Sequence, residues 1–149
     1  MKTTIIIAIT ALFFTISCNK SKRNSKKLDD NKWKAVELSV DGVNVSELPT
    51  FKFNDCDIYK EACKGWWYLG EDGHSETAWQ FRNKGKEFEI SNQADHAHGL
   101  EDVKAADQCI AFSGVYNVIK STRNKMEFES TKTFKYPNQK VVLKIERIK

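Results

Sequence analysis

From Trp33 to the end of the chain, short apolar runs alternate with turn residues, and no segment holds a helical period for three turns. That is the pattern of an all-β protein. The first run, Trp33 to Val40, stops at Asp41-Gly42, a two-residue hairpin signal because both residues accept positive φ. Val43 to Val45 follows, then Phe51 to Ile58 with Phe51 and Phe53 on one face. In Ala62 to Leu69 the adjacent Trp66 and Trp67 must point to opposite faces, so one of them is outward and available to an interaction surface. Glu76 to Arg82 sets Trp79 and Phe81 together, and after a turn at Lys84-Gly85-Lys86 the run Glu87 to Ser91 does the same for Phe88 and Ile90. A polar, acid-rich stretch from Asn92 to Gln108 interrupts the meander, with room for one short helix from Leu100 to Ala106. Alternation then resumes: Ile110, Phe112, Gly114, Tyr116 and Val118 share one parity, Met126 and Phe128 follow, and Val141, Leu143 and Ile145 close the chain. About eight runs in up-and-down order predict an antiparallel β-barrel, since closure leaves no exposed edge, and Gly114 marks a bend of the kind a barrel corner needs.

Ahead of the barrel the pattern changes twice. Residues 1–17 carry Lys2 and then an apolar run from Ile5 to Ser17. It is shorter than the about 20 residues a membrane-spanning helix requires and has the form of a secretion signal. Residues 18–32, CNKSKRNSKKLDDNK, have almost no apolar residue and no helical period, which predicts a disordered spacer. The expected organisation is therefore signal peptide 1–17, basic tether 18–32 and barrel 33–149.

Charge follows the same division. The tether holds six basic residues against Asp29 and Asp30, whereas residues 33–149 hold 17 Lys and Arg against 18 Asp and Glu. The formal charge of +4 thus belongs to the tether. A nucleic-acid partner is not expected, because it would require positive charge on the folded surface. The tether adds a minor attraction to anionic lipid.

Thr15-Ile16-Ser17-Cys18 resembles the lipobox of bacterial lipoproteins, with Thr15 where that family carries an aliphatic residue. The resemblance implies cleavage before Cys18, acylation of Cys18 with fatty acids such as palmitate, and membrane attachment; ordinary secretory cleavage and a retained anchor are the alternatives. Asn19 in place of an aspartate fits sorting to the outer membrane, and the basic character of the following residues points to the periplasmic face. Export also permits disulfides. With Cys18 acylated, Cys56, Cys63 and Cys109 remain. Cys56 and Cys63 flank six residues between two strand-like runs and are the expected pair, while Cys109 opens an apolar strand and is expected as a buried free thiol.

Trp33 on the first strand, the Asp41-Gly42 hairpin just beyond it, the strand meander and Arg147 near the end of the last strand together resemble the lipocalin-like branch of the calycins, in particular the small lipocalin-like lipoproteins of Bacteroidetes. The family's opening Gly-x-Trp stands here as Asn31-Lys32-Trp33. The resemblance implies that Trp33 plugs one end of the barrel and that Arg147 packs over it. Trp33 is out of parity with Val36, Leu38 and Val40, so a bulge is required between them.

Catalytic constellations are absent from the sequence: there is no Gly-x-Ser-x-Gly turn, no phosphate-binding glycine loop and no Cys-x-x-Cys. The chain is expected to be no enzyme and to carry no cofactor. Asp95-His96-Ala97-His98, with Glu101 and Asp102 beyond, gathers ligating side chains, but in the most polar loop and at a spacing that matches no established site, so no metal is expected. His74 is read as a turn residue. An eight-stranded barrel is only just wide enough for its own side chains or one small ligand. Trp79, Phe81, Phe88, Phe112, Tyr116 and Phe128 are the inward residues expected to line such a site. The expectation is a membrane-anchored, non-catalytic barrel binding a small apolar or amphipathic molecule at the cell envelope; the alternative is a ligand-free interaction or scaffolding module. An apolar pocket of about 300 Å³ or more favours the first, and a filled interior with an exposed aromatic favours the second.

Overall fold

A computed structural model describes residues 19–54, 56, 62–71, 73–93 and 100–149. Cys18 lies outside the described residues. Among them are the strands β1 (Asn31–Val40), β2 (Val43–Asn44), β3 (Thr50–Phe53), β4 (Cys63–Leu69), β5 (Gly73–Arg82), β6 (Glu87–Asn92), β7 (Gly114–Ser121), β8 (Lys125–Lys132) and β9 (Pro137–Arg147). The order across the sheet is β2-β1-β3-β4-β5-β6-β7-β8-β9, and β1 also pairs with β9. Eight strands therefore close an up-and-down antiparallel barrel, with β2 as one extra strand beside β1.

The closing seam carries the bulge that parity demands. β1 meets β9 from Trp33 opposite Arg147 to Val40 opposite Val141, and the register shifts between Ala35 and Glu37. The extra residue, Val36, is pushed to the outside, so Trp33, Ala35 and Leu38 all face the interior. Beyond β1, Asp41 (φ 49°) and Gly42 (φ 83°) make the expected two-residue turn into β2. The Lys140 amide donates to Asp41 Oδ1 at 2.8 Å, which ties that turn to β9.

Two segments depart from the sequence expectation, and both are helices. Residues 19–28, expected as part of a disordered tether, form α1 (Asn19–Leu28) and pack against the barrel, and β1 begins within the supposed tether at Asn31. Composition alone does not produce this helix; docking does. Leu28 is fully buried, and the Trp33 indole N–H donates to the Leu28 carbonyl at 3.3 Å. Asn24, also buried, donates to the Gly85 carbonyl at 3.2 Å and accepts from the Ser121 hydroxyl at 2.8 Å. Lys27 Nζ donates to the Ser121 carbonyl at 3.0 Å. Gly85 permits the approach, because a Cβ there would lie 3.0 Å from the Ser21 nitrogen. α1 thus covers the barrel end where Trp33 sits.

The second departure is α2 (Leu100–Phe112), which continues through Cys109, Ile110 and Phe112 where a strand and only a short preceding helix were expected. Ala105, Cys109 and Phe112, spaced at i, i+4 and i+7, share the buried face, and Val103 and Ile110 are exposed. α2 packs mainly on β5, where Gly73, Ser75 and Thr77 are small and leave room for it. It covers the end opposite α1, so Trp67 finds its hydrogen-bond partner in α2: the indole N–H donates to Gln108 Oε1 at 2.9 Å.

At the exit from α2, Gly114 lies so close to β8 that a Cβ would stand 2.3 Å from the Lys132 carbonyl oxygen. We predict that Gly114→Ala forces the two strands apart and lowers stability by about 1–3 kcal/mol, the usual cost of overpacking. Urea unfolding checks this, and an unchanged midpoint would show that the approach is not needed.

Candidate functional site

The six residues expected to line a ligand site come from four strands and one helix. Trp79, Phe88, Phe112, Tyr116 and Phe128 are each at most 2% exposed, and Phe81 is half-buried. Trp79, Phe81, Phe88 and Phe128 join in one network with Phe53: ring centroids are 5.2 Å apart for Phe53 and Trp79, 5.2 Å for Phe81 and Phe88, and 4.7 Å for Phe88 and Phe128. Phe51 extends the network to Trp67 at 4.9 Å. Phe112 comes from α2 instead of a strand and packs on Tyr136, with centroids 5.2 Å apart. Tyr116 donates its hydroxyl to the Phe112 carbonyl at 2.6 Å, and burial pushes its phenol far above the ordinary range. A side chain bordering an open chamber would show surface to it, and five of these six show almost none. They hold one another.

The cysteines divide as expected. Cys56 and Cys63 are disulfide-bonded with Cα atoms 5.0 Å apart, and Cys109 is a buried free thiol, on α2 instead of a strand. Burial pushes the Cys109 thiol up from about 9 to about 12, against the opposing effect of hydrogen bonds with Asn92 and Ser113. It is kept protonated and sealed, the opposite of what a nucleophile requires.

A groove with a volume near 480 Å³ lies on the outer face of β4, β5 and β6. Strand register builds it: Trp66 stands opposite Glu76, Lys64 opposite Ala78, Ala78 opposite Ser91 and Gln80 opposite Glu89. Ala78 gives a low floor and Trp66 a tall wall. Asn54 and Ala62, the neighbours of the disulfide-linked segment, close one rim, and Gln93 closes another. Glu89 is already engaged, accepting from Arg82 at 3.1 Å and from the Gln80 amide. Lys64 and Glu76 offset each other in sign, so the groove is nearly neutral.

Trp66 differs from the other tryptophans. Trp33, Trp67 and Trp79 are buried, and each donates its indole N–H, Trp79 to the Lys64 carbonyl at 2.9 Å. Trp66 is half-buried, packs edge-on against His74 with centroids 5.4 Å apart, and has no hydrogen-bond partner for its N–H among the described residues. Sequence reasoning marked one member of the Trp66-Trp67 pair as outward. It missed Glu76, Gln80, Gln93 and their neighbours, which read as ordinary solvent-facing strand positions until the register aligns them. His74 is the second residue of β5 and serves as the edge contact for Trp66, beyond the turn role expected for it.

Among the described residues no three His, Cys, Asp or Glu side chains converge on a point where a metal could bind. The Asp95-His96-Ala97-His98 run and the side chains of Glu101 and Asp102 lie outside the described residues. No protein-family model matches the chain, and no curated protein matches it either.

We predict that Cys109 resists alkylation by iodoacetamide at pH 8 in the native protein and reacts once denaturant unfolds it. Because its folded-state pKa is raised, the associated stability is fully present below about pH 9 and is lost as pH rises toward about 12. Alkylation of the native protein at the rate of a free thiol would contradict the sealed position.

Proposed function

We propose that the chain is a non-catalytic binding barrel of the cell envelope, lipid-anchored through Cys18 on the periplasmic side of the outer membrane, whose interior is scaffold and whose binding surface is the Trp66 groove. The secretion signal, the Ser17-Cys18 junction and the basic residues beyond it support the anchor. The eight-strand meander closed by β1 and β9 supports the lipocalin-like reading.

The observation that carries the binding surface is Trp66. A half-buried indole whose N–H has no partner among the described residues offers an apolar face and a donor at once, and the groove around it supplies amides, two hydroxyls, one cation and two carboxylates, of which Glu89 is already held by Arg82 and Gln80. This suits a small amphipathic ligand that is neutral overall and has one apolar face and a polar edge, as a sugar ring does. The volume falls within the usual range for ligand sites, about 300–1,000 Å³. A second reading keeps an apolar ligand inside the barrel beside Phe81, the half-buried member of the aromatic network.

The two readings separate on mutation. Trp66→Ala is expected to weaken binding of neutral oligosaccharides at least tenfold, measured by calorimetry, while costing stability far less than Trp79→Ala, which removes a core aromatic and should cost about 3–5 kcal/mol. If fatty acids quench tryptophan fluorescence and Phe81→Ala abolishes that quenching while Trp66→Ala leaves it intact, the interior reading replaces the groove. For the anchor, Cys18→Ala is expected to release the processed protein from membranes, because acylation contributes about 0.8 kcal/mol per buried methylene. Fractionation that leaves the processed mutant in membranes would remove Cys18 from the role.

A further inference from the structure

Charge is distributed between the two ends of this barrel in a way its total conceals. The described segments meeting at the α1 end are residues 19–32, the β5–β6 turn 82–87, the β7–β8 turn 121–125 and the terminus 147–149. By sequence these segments hold thirteen Lys and Arg against three Asp and Glu. Within α1, Lys20, Arg23 and Lys26 are exposed. Lys84, Lys86, Arg123 and Lys149 are exposed beside them on other elements, and the exposed acid among the described residues of this end is Asp30.

The second observation is the absence of slack. α1 begins at Asn19, the residue after Cys18, and its own side chains are fastened to the barrel by Asn24, Lys27 and Leu28. A ten-residue helix is about 15 Å long, so all of α1 stays within that distance of Cys18. Surface potential decays over a Debye length, about 8–10 Å at physiological salt, so the α1 charges nearest the anchor lie within reach of the lipid, and those further along act on it where this end of the barrel faces the bilayer.

We infer that the α1 end of the barrel is a membrane-docking face that holds anionic phospholipid headgroups, so that acylation at Cys18 fixes the barrel with this end down and the α2 end away from the bilayer. The inference rests on the lipoprotein reading of Cys18 and goes beyond it, since an acyl anchor on a free tether would leave the barrel unoriented. The positive charge stands on rigid elements, with α1 and two strand turns presenting it on one face.

Lysine acetylation followed by mass spectrometry tests this on the acylated protein, compared in detergent, in phosphatidylcholine vesicles, and in vesicles that also contain phosphatidylglycerol. Expected is a several-fold drop in labelling of Lys20, Lys26, Lys84 and Lys86 on the anionic vesicles, with Lys104, Lys132 and Lys140 at the far end unchanged. The combined Lys84→Glu, Lys86→Glu and Arg123→Glu variant, all on exposed turns, should stay anchored and folded by circular dichroism yet lose the protection. Equal labelling of both ends on anionic vesicles, with the acyl mass present on Cys18, overturns the docking face and leaves the anchor intact. Equal protection on neutral and anionic vesicles overturns the role of charge. Protection by duplex DNA but not by vesicles assigns the face to nucleic acid instead. Absence of acyl mass from Cys18 removes the anchor, and this inference with it.

Discussion

The pairing of β1 with β9 is the interaction on which the rest depends. It joins residues about a hundred positions apart and converts an open meander with two exposed edges into a closed barrel. Without it the inner faces would have no opposite wall, and the network from Trp67 through Phe51, Phe53 and Trp79 to Phe128 would face water. Each large aromatic or aliphatic side chain buried contributes about 1.5–3 kcal/mol relative to exposure, so the seam controls far more stability than its own hydrogen bonds provide. Its bulge at Val36 is part of the design, because only the extra residue lets both Trp33 and Leu38 point inward from one strand. A contact of such long range closes late and at high loop entropy, so the local hairpins must form largely without it.

The β part of the fold was legible because its signal is local. Alternation identified the inner residues of β3 and β5 to β9 but left open which of Trp66 and Trp67 faces in on β4; the two-residue turn at Asp41-Gly42 was readable from residue type, and the conflict in parity between Trp33 and Leu38 announced the bulge. The helices were not legible for opposite reasons. α1 has a single apolar residue, Leu28, and is held by polar side chains docking on Gly85 and Ser121, partners that no window of neighbouring sequence contains. α2 was obscured because Ile110 and Phe112 share strand parity with Tyr116, while the periodicity actually used runs through Ala105, Cys109 and Phe112 and leaves Ile110 exposed.

The same division applies to the site. Inward-pointing aromatics were identified correctly as inward, yet in a barrel this narrow an inward aromatic most readily becomes core, and the two helices close the ends that a ligand would enter. The groove was unreadable because its members, such as Glu76, Gln80 and Gln93, have the polarity expected of any outer strand position. Only pairing registers across three strands reveal that they surround Trp66.

Inner and outer faces of β4, β5 and β6 are therefore two sides of one device. Trp79 points in and Ala78 points out; Gly65 lies between Lys64 and Trp66, where a Cβ would stand 3.0 Å from the Lys52 carbonyl oxygen and Thr77 Oγ1 and 3.2 Å from the Trp79 ring, so the bare position lets the inner indole pack closely. The close fit pins the β4–β5 register, and a slip of one residue would carry Trp66 inside and Trp67 out. The disulfide ties Cys56 to the first residue of β4, Cys63: closing so short a loop is worth about 2.5 kcal/mol in the chain-entropy picture, and Ala62 beside Cys63 lines the groove. A surface held this rigidly loses little conformational freedom on binding. The filled interior thus serves recognition indirectly, by keeping an outer wall in fixed register while the charged end sets how that wall stands relative to the lipid.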